Sequence, residues 1–456
     1  MKIAILGAAG VRTPLIVQSI TARQERLGLD ELALMDIDAE NLELIGILSE
    51  PAGAGQRRFK LTRTTDARQA LSGADYVITT FRVGGIASRV IDERVPLGCG
   101  VLGQETTGPG GFAMALRTIP VLLDYVAMMQ EICPQAWLIN FANPAGLLVE
   151  AVTRLSGWQR VVGICDAPST MLRLAAAVLR ANPEQVYLDY FGLNHLGWVR
   201  GVRWQGQDYL PALLQMLRAG GSLPSLPFDP DSMQAMGLIP NEYLYYYYHT
   251  QQAVDNILAS RQTRSEQVAA FNQQLFAALR QEHAAGSPQG MQAVYQDYLR
   301  RRGGSYMETE TGHSAGLEQM DPQLLQAIAG EGYAGVALDL IEGLSGRQPR
   351  HMILNIRSQG AMPDLADGDV VEVPAYVNAD LIQPLAVGPI PEHCLELINE
   401  VKMYEKLTIE AIQEHSFHKA LAALAGHPLV PDPDTARLIL EEYIRLHGAN
   451  FPELKR

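Results

Sequence analysis

Several clusters of side chains in this 456-residue chain have the types and spacing to do chemistry. The first is Gly7-Ala8-Ala9-Gly10, directly after the apolar run Lys2 to Leu6 and ahead of a helical segment that begins with Val11 and Arg12. Small residues there let a diphosphate approach the unpaired N–H groups and positive dipole end of a helix. Ala9 stands where a glycine is usual in GxGxxG, so the weight falls on Asp36, spaced to accept hydrogen bonds from an adenosine ribose. That carboxylate favours NAD over NADP, whose 2′-phosphate it would repel. A tight turn without a ligand is the competing reading. The second cluster is Asn140-Phe141-Ala142-Asn143-Pro144, after another apolar run. Asn143 either directs its amide into the crevice at a strand's carboxyl end or caps the next helix. The third is Cys165 with Asp166, also at a strand end, together with Asn194-His195. A thiolate and an imidazole in one crevice can hold a divalent metal and leave positions open for substrate oxygens. A buried structural cysteine and a satisfied core histidine compete with that reading.

The elements that must position these residues alternate through the first third. Strand-like runs at Lys2 to Leu6, Glu31 to Asp36, Tyr76 to Phe81, Trp137 to Phe141 and Arg160 to Cys165 are separated by helical patterns such as Ala113 to Ile132 and Ala145 to Leu155. This rhythm implies an α/β fold with a mostly parallel sheet. Lactate and malate dehydrogenases have a similar Asn-Pro, and the expectation is an N-terminal Rossmann domain of that kind over residues 1–166. A C-terminal mixed α+β domain for substrate, metal and oligomerisation is expected over 167–456. Within it, the pattern predicts a helix from Pro168 to Arg180, antiparallel strands in Val186 to Trp204, and a long loop from Gly220 to Pro240. A tyrosine-dense helix, a long polar helix through Ala285 and a final helical block from Glu392 to His447 follow.

Composition excludes some partners. The net charge is −14 and the basic residues are scattered, which argues against a nucleic-acid surface. No stretch reads as the roughly 18 apolar residues needed to span a bilayer, and the start runs straight into a strand, so a cytoplasmic protein with no membrane partner is expected. Cys99, Cys133, Cys165 and Cys394 show no paired spacing and read as free thiols or single ligands.

Taken together, Arg82-Val83-Gly84-Gly85, Arg89, Asp92-Glu93, Gly103-Gln104-Glu105-Thr106-Thr107-Gly108-Pro109-Gly110-Gly111, Asn143-Pro144, Cys165 and Gly192-Leu193-Asn194-His195 resemble glycoside hydrolase family 4 in order and approximate spacing. The likeness runs from residue 1 to at least about 270, and GQETTGPGGF is its most specific stretch. The resemblance implies a glycosidase outside the two-carboxylate scheme. NAD would oxidise the sugar at C3, a base would remove the acidified C2 proton, the aglycone would leave from C1, water would add, and the hydride would return.

The resemblance makes Cys165 and His195 the ligands of a divalent metal, commonly manganese. It makes Tyr243, in Asn241-Glu242-Tyr243-Leu244-Tyr245-Tyr246-Tyr247-Tyr248, the catalytic base. Arg89 and Arg264 correspond to arginines that hold a 6-phosphate, and Glu105 and Asn143 join them as substrate-binding residues. Asp166 is the candidate general acid, although orienting a metal-bound water or capping a helix would suit it equally. The longer motif leans toward 6-phospho-β-glucosides, whereas Asp166 after the cysteine is a feature of several 6-phospho-α-glucosidases. Family members assemble as dimers or tetramers. An NAD-dependent 2-hydroxy-acid dehydrogenase and a non-catalytic NAD-binding regulator remain as alternatives.

Overall fold

The computed structural model describes residues 1–50, 57–219, 226–304, 307–312 and 332–456. Lys2–Leu6 (β1), Glu31–Met35 (β2), Lys60–Thr64 (β3), Tyr76–Thr79 (β4), Trp137–Asn140 (β5) and Val161–Gly163 (β6) pair in parallel in the order β3-β2-β1-β4-β5-β6. That is the strand order of the dinucleotide-binding fold. Strands β4 and β5 are buried at every residue, because helices cover both sheet faces, and they therefore appear in the sequence as unbroken apolar runs. Strand β3, KLTRT, lies at the edge and is only partly covered, which explains why no run marks it.

Val186 to Trp204 is an antiparallel hairpin, as expected: Tyr187–Leu193 (β7) and Leu196–Trp204 (β8) turn through Asn194-His195, and Gln207–Asp208 (β9) and Ile239–Pro240 (β10) pair with β8. The sequence reading missed three strands. Arg350–Arg357 (β11), Val370–Asn378 (β12) and Leu381–Pro384 (β13) run antiparallel and extend the main sheet beyond β6 to nine strands. The join is the single register pair Asn355 opposite Gly163.

The loop expected from Gly220 to Pro240 is corrected where it can be seen. Residues 220–225 lie outside the described ones, Pro230–Met236 is helical under an Asp229 cap, and Ile239–Pro240 is β10. The tyrosine-dense segment, expected as a helix, is a short 3-10 turn, Glu242–Leu244, followed by a single helical turn, Tyr245–Tyr248. The final block divides into Glu392–Gln413, Phe417–Ala425 and Pro433–His447, with Ser416 and Asp432 capping the last two. One further expectation fails. Gly108–Ile132 is long and apolar enough to cross a membrane, but most of it is buried inside the molecule as a core helix.

A small apolar cluster separate from the main core joins Leu44, Ile45 and Leu48 to Leu275, Leu279, Met291, Tyr295 and Tyr298. It fixes the helices Arg264–Ala284 and Pro288–Gly304 beside the Gly7 to Gly10 turn, and the Tyr295 hydroxyl donates to the Val11 carbonyl at 2.7 Å.

Charged groups also lie deep. Arg117 makes two bonds of 2.6 Å to Asp92, with His447 Nε2 3.0 Å from both partners, and the side chains of all three are fully buried. The trio ties helix Gly85–Gly98 to Gly108–Ile132 and Pro433–His447. Asp92→Ala leaves Arg117 as an uncompensated buried cation, and a loss of about 3–5 kcal/mol is expected in chemical denaturation. His427 offers a second test. Burial depresses its imidazole to about 3, and its Nδ1 accepts the Leu429 N–H at 3.1 Å. The unfolded chain takes up this proton near pH 6.5 and the folded chain does not until about 3, so stability falls as the pH drops through that window. His427→Asn retains an acceptor without the titration. Its stability should decline less steeply than that of the unaltered chain in urea titrations across this window.

Candidate active site

Strand β1 delivers the chain into a turn that only glycine fits at its first position. Gly7 has φ +94°, and a Cβ there would sit 2.4 Å from the Phe81 backbone nitrogen at the end of β4. Gly7 and Ala8 both donate to the Met35 carbonyl at 2.9 Å. Asp36 then closes the turn: one oxygen accepts the Ala9 N–H at 2.9 Å and the other the Asp38 N–H at 3.0 Å. Each oxygen keeps a further lone pair for another donor. Gly10 accepts the Thr13 N–H, and Arg12 starts helix Thr13–Leu27 without a side-chain cap. The expected residues Gly7, Ala8, Gly10, Val11, Arg12 and Asp36 are thus one turn at the carboxyl ends of β1 and β2. The N–H groups of Gly7 to Gly10 are committed within the turn, and the helix that follows it starts at Thr13.

The neighbouring strand ends supply the rest. Asn140 ends β5, accepts from the Thr79 hydroxyl at 2.8 Å and braces its own loop through the Ala142 carbonyl. Asn143 precedes Pro144 through a cis peptide. It is not the cap of helix Ala145–Leu155: the Ala145 N–H is taken by Asn194 Oδ1 at 3.1 Å. Cys165 caps helix Asp166–Leu179 just beyond β6 and is buried. Burial pushes its thiol well above the ordinary range, and the Glu372 and Asp166 carboxylates push it further. Asp166 is half-buried in that helix's first turn.

His195 occupies the β7–β8 turn with φ +62°. Burial lowers its imidazole to about 3, so it is neutral, and its buried Nδ1 has no hydrogen-bond partner among the described residues. Its ring stacks on Tyr243, with centroids 3.6 Å apart and planes 7° from parallel. Tyr243 is fixed by the 3-10 turn, whose Asn241 side chain accepts the Tyr243 N–H at 2.9 Å. The adjacent Glu242 is raised to about 7, first by burial and then by Asp166 and Glu372.

A cationic corner adjoins this group. Buried Arg89 pairs with Glu93 at 2.8 Å and Glu105 at 3.0 Å, and Arg82 also grips Glu105. Burial alone would raise Glu105, but the Arg89 and Arg82 guanidiniums hold it far below the usual carboxylate range, and its charge reaches His195. Arg264 opens helix Arg264–Ala284 behind a Thr263–Glu266 capping box and donates to the Arg302 carbonyl at 3.0 Å. Glu93 also accepts the Ser265 N–H at 2.8 Å, which draws that helix start toward Arg89. Glu310 feels the charges of both Arg264 and Arg89, and Arg302 those of Arg12 and Arg89.

Sequence reasoning missed Glu372, Tyr190 and Asn355. Glu372 accepts from Tyr190 Oη at 2.7 Å, Asn355 Nδ2 at 2.8 Å and Asn194 Nδ2 at 3.3 Å. Burial raises it to about 7 against those bonds. The signal lay in Val370-Val371-Glu372-Val373, a lone acid inside an apolar strand. Arg302 and Glu310, far along the chain, carried no comparable mark.

A neutral imidazole with an open lone pair and a thiol are the donor chemistry of a divalent metal, which would also draw the proton from the thiol. Among the described residues, no group of three or more His, Cys, Asp or Glu is placed to hold an ion. A cation at Cys165 and His195 would therefore need further ligand atoms beyond those of the described residues.

Comparison with known proteins agrees with these features. The model of family 4 glycosyl hydrolases matches residues 2–181, and that of the family's C-terminal domain matches residues 190–430. The chain is 31% identical to a probable 6-phospho-β-glucosidase of Bacillus subtilis, over 99% of this chain and 98% of that one. A solved 6-phospho-β-glucosidase of Thermotoga maritima, with NAD and glucose-6-phosphate, superposes with a TM-score of 0.85 at 30% identity over 100% of both chains. A 6-phospho-α-glucosidase from gut microorganisms, in complex with NAD and Mn2+, superposes with a TM-score of 0.82 at 27% identity, covering 100% of this chain and 99% of that one. With a cofactor-type turn and Cys165 at the carboxyl ends of the parallel strands, and His195 stacked on Tyr243 beside the antiparallel hairpin, the chain belongs to family 4 of the glycosyl hydrolases.

Proposed function

We propose that the protein hydrolyses 6-phospho-β-glucosides, including phosphorylated disaccharides such as cellobiose 6-phosphate, with NAD and a divalent metal, manganese, as resident cofactors. The observation that carries this reading is the stack of neutral His195 on Tyr243, which puts a metal-ligand side chain against a phenol in a family 4 chain. When bound, NAD supplies a reversible hydride acceptor for the sugar's C3, and the cation polarises the oxygens beside it.

The chain's own residues do the remainder. Gly7, Ala8, Gly10, Val11 and Arg12 cradle the pyrophosphate, and Asp36 takes the ribose. Cys165 and His195 hold the metal. Tyr243 removes the C2 proton, and Asp166 gives a proton to the glycosidic oxygen as the aglycone leaves. Arg89 and Arg264 hold the 6-phosphate, supported by the convergence of their charges on Glu310. Glu105 steadies Arg82 and Arg89, and Asn143 contacts the sugar. In this reading residues 1–166 serve the cofactor, while 167–456 serve substrate, metal and assembly into a homodimer or homotetramer. A cytoplasmic setting fits the four free thiols. A 6-phospho-α-glucosidase is the second reading, favoured by Asp166 next to Cys165.

A panel of α- and β-linked p-nitrophenyl 6-phosphoglucosides and 6-phosphogalactosides, with NAD and manganese under reducing conditions, decides between them. Release of p-nitrophenol from the β-linked 6-phosphoglucoside without accumulation of NADH is expected. Cleavage confined to α-linked members reverses the anomer, and stoichiometric NADH with a 2-hydroxy acid restores a dehydrogenase. Tyr243→Phe should lower kcat by about 100- to 10,000-fold. His195→Ala and Cys165→Ser should each cost at least about 100-fold, more than loss of an outer partner of a metal ligand. Equal cleavage of unphosphorylated sugars removes the roles of Arg89 and Arg264.

A further inference from the structure

We infer that Glu372 is a positioning residue that aligns His195 and Tyr243 from behind, an inference that rests on the roles proposed for those two side chains. Glu372 lies on β12 between Val371 and Val373, both fully buried, and is itself 1% exposed. A carboxyl at such depth is costly unless its oxygens are bonded. Its three donors, Tyr190, Asn355 and Asn194, are neutral, and each leads to a different part of the site.

The first arm runs through Asn194. Its Nδ2 donates to Glu372 and its Oδ1 accepts the Ala145 N–H, so the amide is pinned at both ends. The next residue is His195, left-handed in its backbone and buried against Tyr243. The second arm runs through Tyr190, which lies across Gly197; a Cβ at 197 would come within 2.1 Å of the Tyr190 hydroxyl. A register shift between Asp189 and Tyr190 accompanies this crossing. The Tyr190 hydroxyl donates to Glu372 and accepts from Asn241 Nδ2 at 3.4 Å, and Asn241 Oδ1 holds the Tyr243 N–H. The third arm is Asn355, paired in register with Gly163, two residues before Cys165. A Cβ on Gly163 would be 2.9 Å from that of Asn355, so the approach depends on the glycine. One carboxylate is thus the common origin for both ring partners of the stack and for the strand that presents the cysteine.

The arms separate in experiment. Tyr190→Phe cuts only the path to Tyr243, and Asn194→Ala only the path to His195. With full-length protein, we expect Tyr190→Phe to lower kcat about tenfold with manganese affinity, by calorimetry, within twofold. Asn194→Ala should weaken manganese binding by about 10- to 100-fold. Glu372→Gln should do both. A third readout needs neither metal nor turnover: in the metal-free protein the Tyr243 ring shifts the His195 Cε1–H resonance upfield, and Glu372→Gln should return it toward the free-histidine position. Unaltered manganese affinity, kcat and histidine shift in a folded Glu372→Gln protein overturn the inference, as do equal effects of Tyr190→Phe and Asn194→Ala on both kinetic and metal readouts. If Glu372→Gln does not fold, the two single-arm variants decide. If the unaltered protein binds no manganese, the metal reading fails, while the histidine shift still tests the alignment.

Discussion

The whole site depends on one narrow contact between backbones. Strand β11 reaches β6 at a single register pair, Asn355 with Gly163, where the glycine leaves room for the Asn355 side chain. That join makes the antiparallel strands from late in the chain part of the same sheet as the cofactor turn. It brings Glu372 behind the strand end that carries Cys165, and with it the hairpin bearing His195. A methyl group at residue 163 would push the added strands outward and loosen every bond that converges on Glu372.

Electrostatics divide the crevice into two regions. Arg12, Arg82, Arg89, Arg264 and Arg302 gather on one side with Glu93, Glu105 and Glu310 among them. On the other, Cys165, Asp166, Glu242 and Glu372 lie close enough to oppose one another's ionisation. Neutral His195 sits between, feeling Glu105 from the first region and stacking on Tyr243 in the second. The dianion of a phosphorylated sugar would suit the guanidinium side of this division.

Much of this was legible in the sequence where local chemistry governs it. The parallel strands announce themselves because both faces are buried, and Gly7, Asp36, Cys165 and His195 sit where strands end or turn. Edge strand β3, half exposed, left no apolar run, and β11 to β13 went unread although β12 carries the apolar run around Glu372, because their place in the main sheet comes only from the pairing of β11 with distant β6. The amphipathic pattern of Glu392 to His447 was plain, but its breaks rest on the Ser416 and Asp432 caps rather than on apolar periodicity. The cap reading left open for Asn143 could not be decided locally: the helix after Pro144 has its first N–H bonded by Asn194, a residue on another element.

The Tyr295 bond to the Val11 carbonyl has a kinetic meaning. The second apolar cluster packs two helices beside the Gly7 to Gly10 turn, so buried side chains close that wall. A dehydrogenase must let its dinucleotide leave after every turnover, and such a wall would throttle it. A hydrolase that returns each borrowed hydride to the same sugar has no such traffic. Close packing beside the turn suits such a cycle, in which the dinucleotide need not leave between turnovers.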